Sequence, residues 1–146
     1  AISACEKGGQ WQQAMSLLSR MPARTALPDA ICYSAAISAC GRGSQWQRAL
    51  SLLGGMPALS AAPDPIHYNA AISACEKGSQ WQLALELLTR MPTESLVPDL
   101  ITYNAAVSAC EKGCEWHRAC DLVSLMPTAR LVPNEISYSA AISACA

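Results

Sequence analysis

The feature that most limits what this chain of 146 residues can fold into is a strict repeat with a period of 35 residues, the spacing between Tyr33 and Tyr68. No insertion or deletion interrupts the register. The repeated positions include Tyr33, Tyr68, Tyr103 and Tyr138; Trp11, Trp46, Trp81 and Trp116; and Met21, Met56, Met91 and Met126. A fixed period of roughly 20 to 50 residues is typical of solenoids, whose units bury their apolar faces against one another. We therefore divide the chain into complete repeats 30–64, 65–99 and 100–134, with partial repeats 1–29 and 135–146.

Each repeat is predicted to fold as two helices. In 65–99, Asp64 is a suitable N-cap and Pro65 occupies the first helical position. We expect Gly78 to end the first helix in the left-handed conformation and Pro92 to end the second. Apolar residues recur at helical spacing within both helices, first at Tyr68, Ala71, Ile72 and Cys75 and then at Trp81, Ala84, Leu85, Leu88 and Met91. The predicted fold class is all-α, an α-α superhelix (solenoid) of 35-residue helical hairpins, expected to be right-handed.

Composition excludes several classes of function. Only 14% of the residues are charged and the formal net charge is -1, which argues against a generic surface for polyanions. No apolar run reaches the 18 or so residues that a membrane helix needs, so we expect no membrane partner. No motif for phosphate cradling, metalloprotease or deaminase chemistry is present, so we expect no catalytic residue, no small-molecule substrate and no cofactor.

The eight cysteines largely reduce to one position of the repeat. That position is predicted to be a small buried hydrophobe, and it comprises Cys5, Cys40, Cys75, Cys110 and Cys145. Cys110, Cys114, His117 and Cys120 have a loosely metal-like spacing. The last three replace Ser79, Gln82 and Leu85 of the preceding repeat, so we interpret them as substitutions and expect no metal site. The repeated Trp residues are predicted to pack in the core rather than to stack on bases.

A second face of each first helix is predicted to line a groove. Stacking of the repeats aligns one apolar residue, two hydrogen-bonding residues and one cation from each repeat into columns. These columns are Ile31, Ile66, Ile101 and Ile136; Ser34, Asn69, Asn104 and Ser139; Ser38, Ser73, Ser108 and Ser143; and Lys7, Arg42, Lys77 and Lys112.

The segment ITYNAAVSACEKG, followed by W-x-x-A-x-x-L and then V-P-N, resembles a pentatricopeptide repeat, and its counterparts in the other repeats do so too. The uniform length is similar to the P-type arrays of that family. The sequence departs from the family pattern in having Leu where the second helix often has Phe, a Met-Pro ending and an Ala-rich first helix. The resemblance implies a segment that binds single-stranded RNA within a larger protein of a chloroplast or mitochondrion, where it processes or stabilises RNA.

The family reads one base per repeat through two side chains. Carried over by position, the pairs are Ser34 with Asp64, Asn69 with Asp99, and Asn104 with Asn134, and the family code assigns them G, U and C in 5′ to 3′ order. Asp29 and Ser139 match single members of two further pairs. The resemblance also implies that Ile31, Ile66, Ile101 and Ile136 sandwich bases and that Lys7, Arg42, Lys77 and Lys112 contact phosphates.

Three alternatives stay open at this stage. Asp29, Asp64, Asp99 and Asn134 are suitable N-caps whether or not they read bases. A tetratricopeptide-like scaffold for protein partners would form the same superhelix, and the variation at Cys32, His67, Thr102 and Ser137 is not explained by a code of two residues. A passive spacer within a larger enzyme is the third reading. Both ends fall inside repeats and no targeting segment is visible, so we expect an excerpt from a longer array.

Overall fold

The computed structural model describes residues 10–20, 30–56 and 63–146, together with residues 4, 7 and 8. Every regular element in this part of the chain is helical, in agreement with the predicted all-α class. The helices are α1 (Trp11–Arg20), α2 (Ala30–Arg42), α3 (Trp46–Gly55), α4 (Pro65–Lys77), α5 (Trp81–Thr93), α6 (Leu100–Lys112), α7 (Trp116–Leu125) and α8 (Glu135–Cys145), with a short 3₁₀ turn at Pro127–Ala129. Asp29, Cys5 and Met21 lie outside the described residues.

The helices α4, α6 and α8 each begin at the predicted cap. The side chains of Asp64, Asp99 and Asn134 each accept a hydrogen bond from the backbone N–H three residues later. The side chain of the residue at that later position accepts a hydrogen bond from the backbone N–H of the cap, which completes a capping box. Pro65 occupies the first helical position of α4, as predicted.

The helical hairpins stack in series. The first helices α2, α4, α6 and α8 pack one against the next, and each second helix lies between the first helix of its own repeat and that of the next. Among the described helices, neighbouring second helices make no close backbone contact with one another. The first helices therefore form one continuous surface of the solenoid, and the second helices form the other.

The core lies between these two layers and contains the predicted apolar positions. Tyr68, Ile72 and Cys75 of α4 are buried, and so are Ala84, Leu88 and Met91 of α5. Cys40 and Cys110 are buried like Cys75, which confirms the prediction for this position, whereas Cys145 in the last helix is exposed. No helix in the described part of the chain is long and apolar enough to cross a bilayer.

The prediction that Gly78 adopts the left-handed conformation was wrong. Its φ is −86°, and the left-handed residue is the next one, Ser79, with φ 55°. Glycine is required instead by the preceding repeat, because a Cβ on Gly78 would lie 2.3 Å from Cδ1 of Trp46. The same distance relates Gly43 to Trp11, and Gly113 to Trp81.

These contacts also define the role of the tryptophans. Trp116 is 46% exposed, so the prediction that it packs in the core is wrong. Trp11, Trp46 and Trp81 are partly buried against the core, which confirms that these three pack rather than line the groove. Each indole covers the end of the first helix in the next repeat, so tryptophan and glycine together join successive hairpins.

The prediction that Pro92 ends the second helix was also wrong. Helix α5 continues through Pro92 to Thr93. The Thr93 hydroxyl donates to the Arg90 carbonyl at 2.6 Å, and the Glu94 N–H donates to the carbonyls of Arg90 and Met91. Proline removes only one donor this close to a helix end, so the surrounding bonds maintain the final turn.

Candidate functional site

A column of exposed isoleucines runs along the surface formed by the first helices. Ile31, Ile66, Ile101 and Ile136 are 71%, 62%, 66% and 59% exposed. Large apolar side chains that are exposed at the same position of successive repeats make this surface a candidate binding face. The structure therefore places the four predicted sandwiching residues in one exposed column.

A cavity of ≈ 360 Å³ opens between two members of this column, Ile66 and Ile101. Asn69 lines the cavity between them, and Arg42 and Lys77 line it as well. The cavity thus combines two apolar walls, a hydrogen-bonding side chain and two cations. An equivalent cavity of ≈ 290 Å³ lies farther along the array, and it is lined by Ser108, Glu111, Glu135, Ile136, Ser139 and Ala140.

Two of the three predicted pairs are in direct contact. Asn69 Nδ2 donates to Asp99 Oδ1 at 3.4 Å, although 30 residues separate them in sequence. Asn104 Nδ2 donates to Asn134 Oδ1 at 3.3 Å in the next repeat. In each case a side chain from the middle of one first helix meets the cap of the next first helix, so the paired side chains lie side by side on the same surface.

A third residue joins each of these pairs. The hydroxyl oxygen of Thr102 lies 2.5 Å from Asn69 Oδ1 and 2.8 Å from Asp99 Oδ1. In the next repeat, Ser137 Oγ lies 2.5 Å from Asn104 Oδ1 and 3.0 Å from Asn134 Oδ1. The sequence alone shows both residues only as positions whose variation a code of two residues does not explain. Their place three residues after a cap is the capping-box signal, which could have identified them.

In the junction between α2 and α4, where one first helix meets the cap of the next, the corresponding residue is His67. It is buried, and its Nδ1 accepts a hydrogen bond from the Asp64 backbone N–H at 3.1 Å. The same Nδ1 lies 2.6 Å from Asp64 Oδ1. The third helical position therefore contacts the cap residue in all three described junctions. Ser34, the predicted partner of Asp64, is half-buried at the position of α2 that matches Asn69 in α4.

The Asp99 carboxylate is held in its charged form. Burial raises the pKa of this group, but hydrogen bonds from the Thr102 backbone and hydroxyl, from Asn69 and from the Ile101 backbone outweigh burial and bring the pKa below 3.8. At neutral pH this side chain therefore only accepts hydrogen bonds, whereas the Asn134 amide at the matching position both accepts and donates.

The predicted phosphate contacts are not electrostatically equivalent. Arg42 and Lys77 are exposed beside the cavity, and Lys7 is exposed in the first partial repeat. Lys112 instead forms an ion pair, with its Nζ 3.0 Å from Oε1 of Glu76 in the preceding repeat. The carboxylate of Glu76 therefore offsets part of the positive charge that the sequence places along the groove.

Two family models match the sequence. The model of the pentatricopeptide repeat domain covers residues 51–113, and that of the PPR repeat covers residues 1–24, 31–59 and 101–131. The chain belongs to the pentatricopeptide repeat family. The family resemblance seen in the sequence is thereby confirmed.

Solved pentatricopeptide repeat structures share this fold. The maize protein PPR10 superposes with a TM-score of 0.83 at 21% identity, over 98% of this chain and 20% of its own. The PPR domain of Arabidopsis thaliana protein-only RNase P 1, solved in complex with tRNA, gives a TM-score of 0.83 at 16% identity over 98% of this chain and 76% of its own. At these identities the similarity establishes the fold. The chain spans only about a fifth of the maize protein, and no curated protein matches its sequence.

The pentatricopeptide array does not bring together the four residues with metal-like spacing. Cys110 is buried in α6, Cys114 is exposed beyond its end, and His117 stacks on Trp116 in α7. Cys120 approaches Cys145 instead, with 3.9 Å between their sulfur atoms. Within the described residues, no group of three or more His, Cys, Asp or Glu side chains is arranged to hold a metal ion.

Proposed function

We propose that this array binds single-stranded RNA and reads one base with each complete repeat. The observation that carries the proposal is the cavity between Ile66 and Ile101, because it is lined by Asn69, which is hydrogen-bonded to Asp99. Two apolar walls can hold a flat base while the polar pair meets its edge. The solved complexes of maize PPR10 with an 18-nt psaJ RNA element and of the Arabidopsis RNase P domain with tRNA support RNA as the ligand class.

The chemistry of the pairs supports different preferences at successive repeats. Asn69 supplies a donor and the Asp99 carboxylate an acceptor, which complements the carbonyl and the N–H of uracil. Asn104 with Asn134 supplies a further donor in place of the carboxylate, which suits cytosine because its ring nitrogen accepts. Ser34 with Asp64 is assigned guanine by the family code. The array would read G-U-C in 5′ to 3′ order from its N-terminus.

The role of this segment in the whole protein would be to cover a stretch of RNA by binding it. A bound strand is shielded from nucleases or kept single-stranded for other factors, and no bond is made or broken by the residues of the groove. We place the array in a larger RNA-processing or RNA-stabilising protein of a chloroplast or mitochondrion. Any catalytic step would belong to another domain, as the RNase P name of one structural neighbour illustrates.

The test is a binding titration of this chain, followed by NMR because three complete repeats are expected to bind weakly. The reference RNA carries G-U-C flanked by uniform nucleotides, and three variants each replace one base of the triplet. Tighter binding of the reference than of every variant is expected. Equal affinity for all four RNAs would contradict base reading, and absence of binding to any of them would favour the tetratricopeptide-like protein scaffold instead.

A further inference from the structure

Thr102 and Ser137 are not part of either recognition pair, yet each contacts both members of one. We propose that the hydroxyl three residues after the cap is a specificity-determining residue for the base read by the preceding repeat. The inference rests on the proposed function and deepens it, since recognition of a base would then depend on three side chains, two of them from the following helix or its cap.

The first line of evidence is the hydrogen-bond geometry around Asn69. The Thr102 hydroxyl oxygen lies 2.5 Å from Asn69 Oδ1 and 2.8 Å from Asp99 Oδ1, so its single proton is shared between these two acceptors, and it accepts from the Asp99 backbone N–H at 3.1 Å. Asn69 Nδ2 in turn donates to Asp99 Oδ1. The amide oxygen of Asn69 is therefore directed at the hydroxyl, and its second N–H is left for a ligand in the groove.

The second line of evidence is that the next repeat has the same arrangement with different residues. Ser137 replaces Thr102 and Asn134 replaces Asp99, but the distances from the hydroxyl to the Asn104 amide oxygen and to the cap are closely similar. Thr102 and Ser137 are both fully buried. Burial excludes water as a competing partner of the hydroxyl, so its proton can bind only the amide oxygen or the cap.

The functional consequence follows from the symmetry of an amide group. A half-turn of the Asn69 side chain exchanges its N–H₂ donor for its carbonyl acceptor, and the two orientations have nearly the same shape. A donor is needed for the uracil carbonyl, whereas an acceptor would suit the amino group of cytosine. The Thr102 hydroxyl and the Asp99 carboxylate together stabilise the first orientation. In it the amide oxygen accepts the hydroxyl proton and the N–H₂ group donates to the carboxylate, whereas in the second orientation the amide oxygen would lose the hydroxyl and would face the carboxylate.

The test compares Thr102→Val with Thr102→Ser in the full chain. Valine keeps the shape of threonine and lacks the hydroxyl, so we expect the preference for U over C at the middle position to fall by about fivefold, as for loss of one hydrogen bond. Serine should retain the preference, because Ser137 forms the same bonds. Ser137→Ala is the matched control: it should weaken the preference at the third position and leave that at the middle position unchanged.

A second measurement needs no RNA. The side-chain amide resonances of Asn69 should shift and broaden in Thr102→Val and stay near their original positions in Thr102→Ser, while thermal unfolding verifies that each variant is folded. Unchanged Asn69 resonances and an unchanged U preference in Thr102→Val would overturn the inference. If Thr102→Val and Ser137→Ala each weakened the base preference equally at the middle and third positions, the inference would also be overturned, because this result would indicate general destabilisation. Absence of any base preference in the original chain contradicts the proposed function instead.

Discussion

The indole of Trp46 leaves no space for a β-carbon on Gly78, since the two carbons would lie 2.3 Å apart. We therefore predict that Gly78→Ala lowers the free energy of unfolding by about 1–3 kcal/mol, as expected when a well-packed contact is overfilled. The φ of Gly78 is open to alanine, so the effect is steric. Urea denaturation measures it. Gly54→Ala is the control, because nothing lies within 4 Å of a Cβ there and alanine favours the helix; equal stability of the two variants would contradict the prediction.

The pKa of Asp99 predicts a dependence of stability on acid. Its pKa is below 3.8 in the folded chain, so its contribution is fully present above the ordinary value and is lost as the pH falls through the folded value. We expect the free energy of unfolding to depend less on pH in Asp99→Asn than in the original chain below about pH 4. Asparagine remains a suitable cap, as Asn134 shows. Identical pH profiles for the variant and the original chain would argue against the hydrogen-bonded carboxylate.

The ion pair between Lys112 and Glu76 predicts that the groove binds RNA less strongly than its cations allow. Glu76→Gln should release Lys112 for a phosphate and tighten RNA binding at low salt. The slope of log affinity against log salt should steepen by up to about 0.7, the value for one more phosphate contact on a single strand. Glu86→Gln is the charge-matched control, because Glu86 is an exposed residue of the second helix α5. A similar gain in RNA affinity in both variants would show that the effect comes from net charge alone.

The pair Asn104 and Asn134 allows a direct test of base preference. Asn104→Ser should move the preference of the third position from C toward A, according to the code of the family, without changing the other two positions. Competition between RNAs that differ only at this base measures the change. An unchanged preference for C would count against the assignment of Asn104.

Burial predicts different reactivities for the cysteines. It raises the pKa of both Cys75 and Cys110 to about 11, and both side chains are inaccessible, whereas Cys114 is exposed. At pH 8 a disulfide reagent should label Cys114 before Cys75 and Cys110, which should stay unmodified until denaturant is added. Mass spectrometry of the labelled peptides identifies the sites. Labelling of Cys75 as fast as Cys114 in the native chain would contradict the packing described above.

The parts of this protein that its sequence determined are those set by local chemistry and by the period. The capping of α4 by Asp64, the start at Pro65 and the buried stripe of Tyr68 and Ile72 follow from residues within one or two helical turns of one another. A constant period then places equivalent residues in columns, so the exposure of Ile66 and Ile101 on one surface could also be predicted. These features need no knowledge of which repeat contacts which side chain.

Only the tertiary structure decided what happens between repeats. Thr102 meets Asn69 across 33 residues of sequence, Lys112 meets Glu76, and Gly78 meets Trp46, and each contact joins two different hairpins. Helical periodicity shows which face of a helix a residue occupies, but not which atom of the neighbouring hairpin comes within hydrogen-bonding or van der Waals distance. That depends on the offset and angle at which successive hairpins pack, and those are set by the side chains of both.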